Sequence, residues 1–128
     1  MENTKEIVES KKTLILGAST NPARYAYLAA QRLYESGHEF VLLGVKKGEV
    51  LGQAILNGKP ELTGIDTVTL YIGAAKQPEW YAYLLSLKPK RIIFNPGTEN
   101  PELMRLALEN NIQPLHACTL VLLATGQY

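Results

Sequence analysis

The stretch Lys12–Arg24 (Lys-Thr-Leu-Ile-Leu-Gly-Ala-Ser-Thr-Asn-Pro-Ala-Arg) constrains the fold more than any other part of this chain. A short apolar run, Thr13 to Leu16, stops at Gly17. Small and polar residues continue to Asn21, and Pro22 then leads into a segment with helical spacing. Strand, tight turn and helix form the first half of a βαβ unit. Such a turn suits an anion, because the free N–H groups and the positive dipole end of the helix converge on it. Gly17 allows backbone to come close to a ligand. Ser19 and Thr20 add hydroxyl donors, and Pro22 fits a first helical turn, where a missing N–H costs nothing. Taken alone, the segment also reads as an ordinary strand-to-helix turn with no ligand.

The rest of the chain continues the alternation. A first helix is expected over 23–36, with Ala26, Ala29, Ala30 and Leu33 as a small-residue face and Gly37 as its C-cap. Strand two follows at 39–45. Its Phe40-Val41-Leu42-Leu43 core is apolar without alternation, as in a parallel strand covered on both faces. Residues 46–62 read as loop punctuated by Gly48, Gly52 and Gly58, with a short extended piece at 53–56. Strand three is expected at 67–72, a helix at 78–87, strand four at 91–94 and a helix at 101–110 with Asn100 as N-cap. Strand five falls at 112–115, and 119–124 forms a last short helix or strand. The expected fold is α/β, a single doubly wound, mostly parallel five-stranded sheet of Rossmann-like type.

Composition bounds the function classes. The 128 residues suffice for one core, so the chain divides into a lead-in over 1–11 and one domain over 12–128. A net charge of +1 offers no bulk attraction to nucleic acid or to an anionic membrane. The single cysteine, Cys118, cannot form an intrachain disulfide, and the polar start has no apolar run long enough for a leader or a span. A cytoplasmic protein is expected.

In an open parallel sheet, ligands bind beyond the carboxyl ends of the strands. The turns to inspect are therefore 17–24, 44–48, 73–77, 95–98 and 116–118. A dinucleotide site for NAD normally has three glycines in the first turn and an acid closing strand two. Here the first turn has Gly17 alone, and strand two ends in Gly44-Val45-Lys46-Lys47. Lysines there suit a phosphate on the ribose, which points away from NAD and toward NADP or another ribose-phosphorylated nucleotide. On an extended loop Lys47 would point away from Lys46.

Gly17-Ala-Ser-Thr-Asn-Pro-Ala-Arg24, then Lys46, then Asn95-Pro96-Gly97-Thr98-Glu99, resembles the small stand-alone CoA-binding proteins over about residues 12–118. Their fold is similar to the CoA-binding domain of the succinyl-CoA synthetase alpha subunit. The resemblance implies that Gly17, Ala18, Ser19 and Thr20 hold the diphosphate, with Arg24 and Lys46 as cationic partners. It also implies that the turns after strands three and four face the adenine and pantetheine parts. The candidate ligand residues are thus Gly17, Ala18, Ser19, Thr20, Asn21, Arg24, Lys46, Gly73, Asn95, Pro96, Gly97 and Cys118, and the ligand is coenzyme A or an acyl-CoA. The chain departs from the family in having Gly44-Val45-Lys46 where Asn-Pro-Lys is usual, and in its Asn95-Pro96-Gly97 and His116-Ala117-Cys118-Thr119 segments.

No catalytic residue and no metal ligand is assigned. His38 is expected as a surface turn residue at the far end of the sheet. His116 and Cys118 lie at the ligand end, two apart on an extended segment, and a Cys–His pair can make a thiolate nucleophile. No third orienting residue accompanies them. The alternative to a binding module is therefore a small NADP-dependent or acyl-CoA-handling enzyme using Cys118 and His116. A regulatory protein whose partner reads its CoA-bound state is a third reading. Tyr25 or Tyr27 could lean over the ligand, while Tyr81 and Tyr83 suit solvent or a homodimer contact.

Overall fold

A computed structural model describes residues 10–128, so the expected lead-in lies outside the described residues except for Ser10 and Lys11. The elements are β1 (Thr13–Leu16), α1 (Tyr25–Glu35), β2 (Phe40–Leu43), β3 (Glu49–Val50), β4 (Gln53–Leu56), β5 (Thr67–Leu70), α2 (Tyr81–Ser86), β6 (Arg91–Phe94), α3 (Pro101–Glu109), β7 (Gln113–His116) and α4 (Thr119–Ala124). Two short 3₁₀ turns, Ala74–Lys76 and Pro78–Trp80, precede α2. The helix expected over 78–87 is thus split, and the segment 119–124 is helix.

The strands form one sheet in the order β3-β4-β2-β1-β5-β6-β7. All neighbours run parallel except the β3–β4 pair. The sheet therefore has seven strands, not five. The two additional strands lie in the segment read mostly as loop, where β4 coincides with the short extended piece expected at 53–56 and β3 was not expected. Leu51 and Gly52, both at positive φ, turn the chain back on itself there. The hairpin then buries Val50 and Ile55, and β4 docks alongside β2. Its glycines mark the turns of a hairpin rather than the absence of one.

Position in the sheet explains the uninterrupted apolar runs. β1 is flanked by β2 and β5, and all four of its residues are buried. Leu14 and Leu16 face a core shared with Leu84 of α2 and with Leu103 and Ala107 of α3. Ile15 faces the opposite core, with Ala26, Ala30 and Leu33 of α1 and with Leu122 and Leu123 of α4 packed against it. The sheet is thus covered on both faces, by α2 and α3 on one and by α1 and α4 on the other. The expected small-residue face of α1 is the face it buries.

Gly17 closes β1 at φ +101°. A Cβ there would lie 2.8 Å from the Tyr71 carbonyl oxygen, closer than such contacts allow. Its N–H donates to the Leu43 carbonyl at 2.9 Å, so this residue touches the ends of both flanking strands. Asn100 caps α3 as expected, its side-chain oxygen accepting from the N–H groups of Glu102 and Leu103. No helix among the described residues is long and apolar enough to cross a membrane.

His38 corrects the expectation of a surface turn residue. It is 9% exposed and accepts a hydrogen bond from the Lys11 N–H at its Nδ1 (2.9 Å), with its ring 4.9 Å from that of Tyr128. Tyr128 in turn meets the Thr13 hydroxyl and the Arg91 guanidinium, so the amino end of the sheet is covered by packed rings. Burial, reinforced by the charges of Lys11 and Arg91, holds the His38 pKa below its ordinary 6.5.

Two expectations follow. Gly17→Ala adds a left-handed strain and a backbone clash, and should lower the unfolding free energy by about 1–3 kcal/mol in chemical denaturation. The His38 contribution is fully present above about pH 6.5 and is lost as pH falls through that value toward its lower folded pKa, because the unfolded chain then binds the proton more readily. Urea midpoints measured from about pH 7 to 5 should decline in the wild type, and His38→Asn should flatten that decline.

Candidate ligand-binding cleft

The chain runs from β1 outward to β2 and β4, and returns to β5 on the other side of β1. Strand order therefore reverses at β1, and a crevice opens beyond the carboxyl ends at such a point. The crevice here has a volume of about 810 Å³ and is lined from the turns after β1, β2, β5 and β6.

The first turn orders itself. The Asn21 N–H donates to Ser19 Oγ (3.0 Å), the Ala23 N–H donates to Asn21 Oδ1 (2.9 Å), and the Arg24 N–H donates to the Asn21 carbonyl (3.0 Å). Helix α1 then starts without a side-chain cap, which leaves its first N–H groups available to a ligand. The N–H groups of Gly17 and Ala18 are not available. Both donate to the Leu43 carbonyl, at 2.9 and 3.1 Å. Those of Ser19 and Thr20 donate to nothing among the described residues.

The second turn lies against the first. A Cβ on Gly44 would come within 2.8 Å of the Ala18 carbonyl oxygen. The stiffening proline of Asn-Pro-Lys is absent, but the Asn57 amide replaces its effect by donating to the carbonyls of Gly44 (2.7 Å) and Lys46 (3.2 Å). The chain bends at Val45 and Lys46 rather than running extended, so Lys46 and Lys47 both line the cleft. This overturns the expectation that Lys47 points away.

Charge divides the cleft into two halves. Around the first two turns stand Arg24, Lys46 and Lys47, and neither turn contributes a carboxylate to the lining. Around the turns after β5 and β6 the charged side chains are Lys76 and Glu79, of opposite sign, among Ile72, Trp80, Pro96 and Gly97. Tyr25 (70% exposed) and Val45 (89% exposed) add apolar surface to the cationic half.

A buried amide network holds the second half. Gln77, with no exposed surface, donates through Nε2 to the carbonyls of Ile72 (3.0 Å) and Thr98 (2.8 Å), and its Oε1 accepts from Asn100 Nδ2 (2.8 Å). Asn100 Nδ2 also donates to the Tyr81 hydroxyl, which donates to Glu102. The turn after β5 is thereby tied to the turn after β6.

Ten of the twelve residues singled out from the sequence line this cleft: Gly17, Ala18, Ser19, Thr20, Asn21, Arg24, Lys46, Gly73, Pro96 and Gly97. Asn95 and Cys118 do not. The Asn95 amide is buried and donates to Thr69 Oγ1 (2.7 Å) and the Leu70 carbonyl (2.8 Å), while its oxygen accepts the Thr119 N–H (2.9 Å). Cys118 precedes α4 and is half-buried. His116 is exposed with its ring edge-on to Phe94, and no hydrogen bond joins it to Cys118 among the described residues.

Lys76, Glu79 and Trp80 line the cleft without having been singled out as ligand residues. Lys76 sits in the inspected turn 73–77, so a lone cation at a strand's carboxyl end was the available signal. Tyr25 lines the cleft, whereas Tyr27 packs toward the α1 core. The hydroxyls of Tyr81 and Tyr83 are engaged within the chain, the latter donating to the Pro60 carbonyl at 2.6 Å. Tyr71 also lines the cleft. Burial pushes its phenol up to about 12. The Thr69 and Thr119 hydroxyls pair with each other at 2.8 Å and leave the Tyr71 oxygen without a well-formed hydrogen bond. A phenol that stays protonated at neutral pH is no general base. Among the described residues, no group of three His, Cys, Asp or Glu side chains could hold a metal ion.

Comparison with known proteins places this geometry. A search of curated proteins returns no match. Among solved structures, one described as an uncharacterized protein is 59% identical, with a TM-score of 0.91 over 93% of this chain and 98% of its own. A protein from Thermus thermophilus (18% identity, TM-score 0.82, 93% and 91% of the two chains) has the same fold. So does a hypothetical protein from Pyrococcus horikoshii OT3 (24% identity, TM-score 0.80, 94% and 95%). A family profile described as a CoA binding domain matches residues 11–124, nearly the whole described chain, and by that match the protein belongs to the CoA binding domain family.

Proposed function

We propose that the cleft binds coenzyme A or an acyl-CoA, and that the domain over 12–128 acts as a cytoplasmic binding module rather than as an enzyme. The observation that carries this reading is the division of charge in the cleft. CoA is an adenosine nucleotide with three phosphoryl groups and a long uncharged arm, and the cleft offers a cationic half and a charge-balanced half. Ser19, Thr20 and the first N–H groups of α1 face the diphosphate, with Gly17, Ala18 and Asn21 shaping the turn. Arg24 and Lys46 meet phosphate charge. Gly73, Pro96 and Gly97 border the arm. Asn95 supports the site from behind, and Cys118 is no contact.

The cationic half would also accept the ribose phosphate of NADP. Calorimetry with CoA, dephospho-CoA, NADP and NAD separates the readings. CoA should bind tightest, and a protein that prefers NADP, or binds none of the four at millimolar concentration, rules the proposal out.

Within that experiment, Ser19→Asp should weaken CoA at least about tenfold, roughly 1.4 kcal/mol, by setting a carboxylate against the diphosphate. Lys46→Ala should weaken CoA more than dephospho-CoA, since a charge-assisted hydrogen bond contributes about 1.5–3 kcal/mol. Lys90→Ala, at the opposite end of the sheet, is the control and should change neither. Equal losses for both ligands in Lys46→Ala would detach this lysine from the ribose phosphate. Cys118→Ala should leave CoA affinity unchanged. An acyl-transfer or thioesterase activity that this variant abolishes would favour the enzyme reading instead.

A further inference from the structure

The chain has ten glycines, and nine have a reason that lies within the protein. Eight adopt positive φ. The ninth, Gly44, has no room for a Cβ beside the Ala18 carbonyl. Gly73 has neither reason. Its φ of −68° and ψ of 161° suit any residue, and a Cβ built on it would meet no protein atom within 4 Å. Left to its own stability, the chain gains from a larger residue here, because glycine leaves more conformational freedom to the unfolded state. Yet Gly73 lies in the wall of the charge-balanced half of the cleft, between Ile72 and the turn that carries Trp80. Its N–H donates to nothing among the described residues.

We propose that Gly73 is kept free of a side chain by the ligand and acts as a specificity-determining residue of the cleft. It admits an uncharged arm that presses against main chain and offers an amide carbonyl to the Gly73 N–H. This rests on the CoA reading and deepens it. The pantetheine arm has that chemistry, being unbranched through its outer part, uncharged and interrupted by two amides. A Cβ at position 73 occupies the space the arm would take, while the cationic half of the cleft stays as it was. Gly73 therefore separates ligands by their arm and not by their phosphates.

The test uses Gly73→Ala and Gly73→Val in the full chain, with two probes. CoA carries the arm, and adenosine 3′,5′-bisphosphate lacks it. The ligand-free variants should melt at the wild-type temperature or above it, with Gly73→Ala the more stable of the two. Gly73→Val should lose CoA affinity at least about tenfold, Gly73→Ala should lose less, and both should bind the bisphosphate as the wild type does. Wild-type affinity for CoA in Gly73→Val overturns the inference. So does an equal loss of CoA and bisphosphate, or a lowered melting temperature in Gly73→Ala, since each shows that the position serves the fold. A wild-type protein that binds no CoA overturns the functional reading first and this inference with it, so the two failures are distinct.

Discussion

The close approach at Gly17 is the constraint on which the cleft depends. Three strand ends meet there. Gly17 finishes β1, donates to the last residue of β2, and lies so close to the backbone following β5 that a Cβ would collide with the Tyr71 carbonyl. This contact sits where strand order reverses, so the turns after β1 and β5 diverge from a common point and leave the crevice between them. It also decides which donors are free. Leu43 takes the N–H groups of Gly17 and Ala18, and the unengaged N–H groups of the turn lie further out, at Ser19, Thr20 and the start of α1. The part of the turn that looks most like a phosphate cradle is therefore its anchor.

The two halves of the cleft are held by different physics. The first two turns are fixed by short local bonds, by main-chain bonds to Leu43 and the Asn57 amide, and by glycines that let backbone pass close to backbone. The second two are fixed at a distance, by amides buried behind them. Gln77, Asn95 and Asn100 have well-paired side chains, and each joins segments more than twenty residues apart. A buried amide is stabilising only when its donors and acceptors are met, since an unmet one costs about 1–3 kcal/mol. Such a network specifies one arrangement of the turns and resists small displacements.

The sequence made the parallel strands, the main helices and the turns that border the cleft legible because each rests on local chemistry. Apolar runs without alternation marked β1, β2 and β6, alanine spacing marked the buried face of α1, and Asn100 marked the start of α3. Of the hairpin of β3 and β4, only the extended piece at 53–56 was legible, not β3, the pairing or the place of β4 beside β2. Its strands are two and four residues long, and its stability comes from docking on β2 rather than from any pattern of its own. His38 misled for the same reason. A histidine after a glycine is a turn residue locally, and its burial comes from Tyr128, ninety positions away. Asn95 falls on a turn that lines the cleft but points away from it, because its side chain is set by long-range partners, and Cys118 falls on the turn after β7, which does not line the cleft. Of the cations around the first two turns, Lys46 followed from topology and Arg24 only from the family resemblance, while Lys47 was expected to point away and lines the cleft because the loop bends.

The cleft draws its walls from residues 16 to 98, across turns that the chain visits on both sides of its central strand. No contiguous piece of the polypeptide presents that surface. A ligand held there has nothing comparable to bind in the unfolded chain, and occupancy is thermodynamically linked to folding. At a hundred times its dissociation constant, a ligand of this kind adds about 2.7 kcal/mol to the folded state, a large share of what holds a small domain together. Any ligand that fills this cleft would therefore also hold the four turns and their strands together.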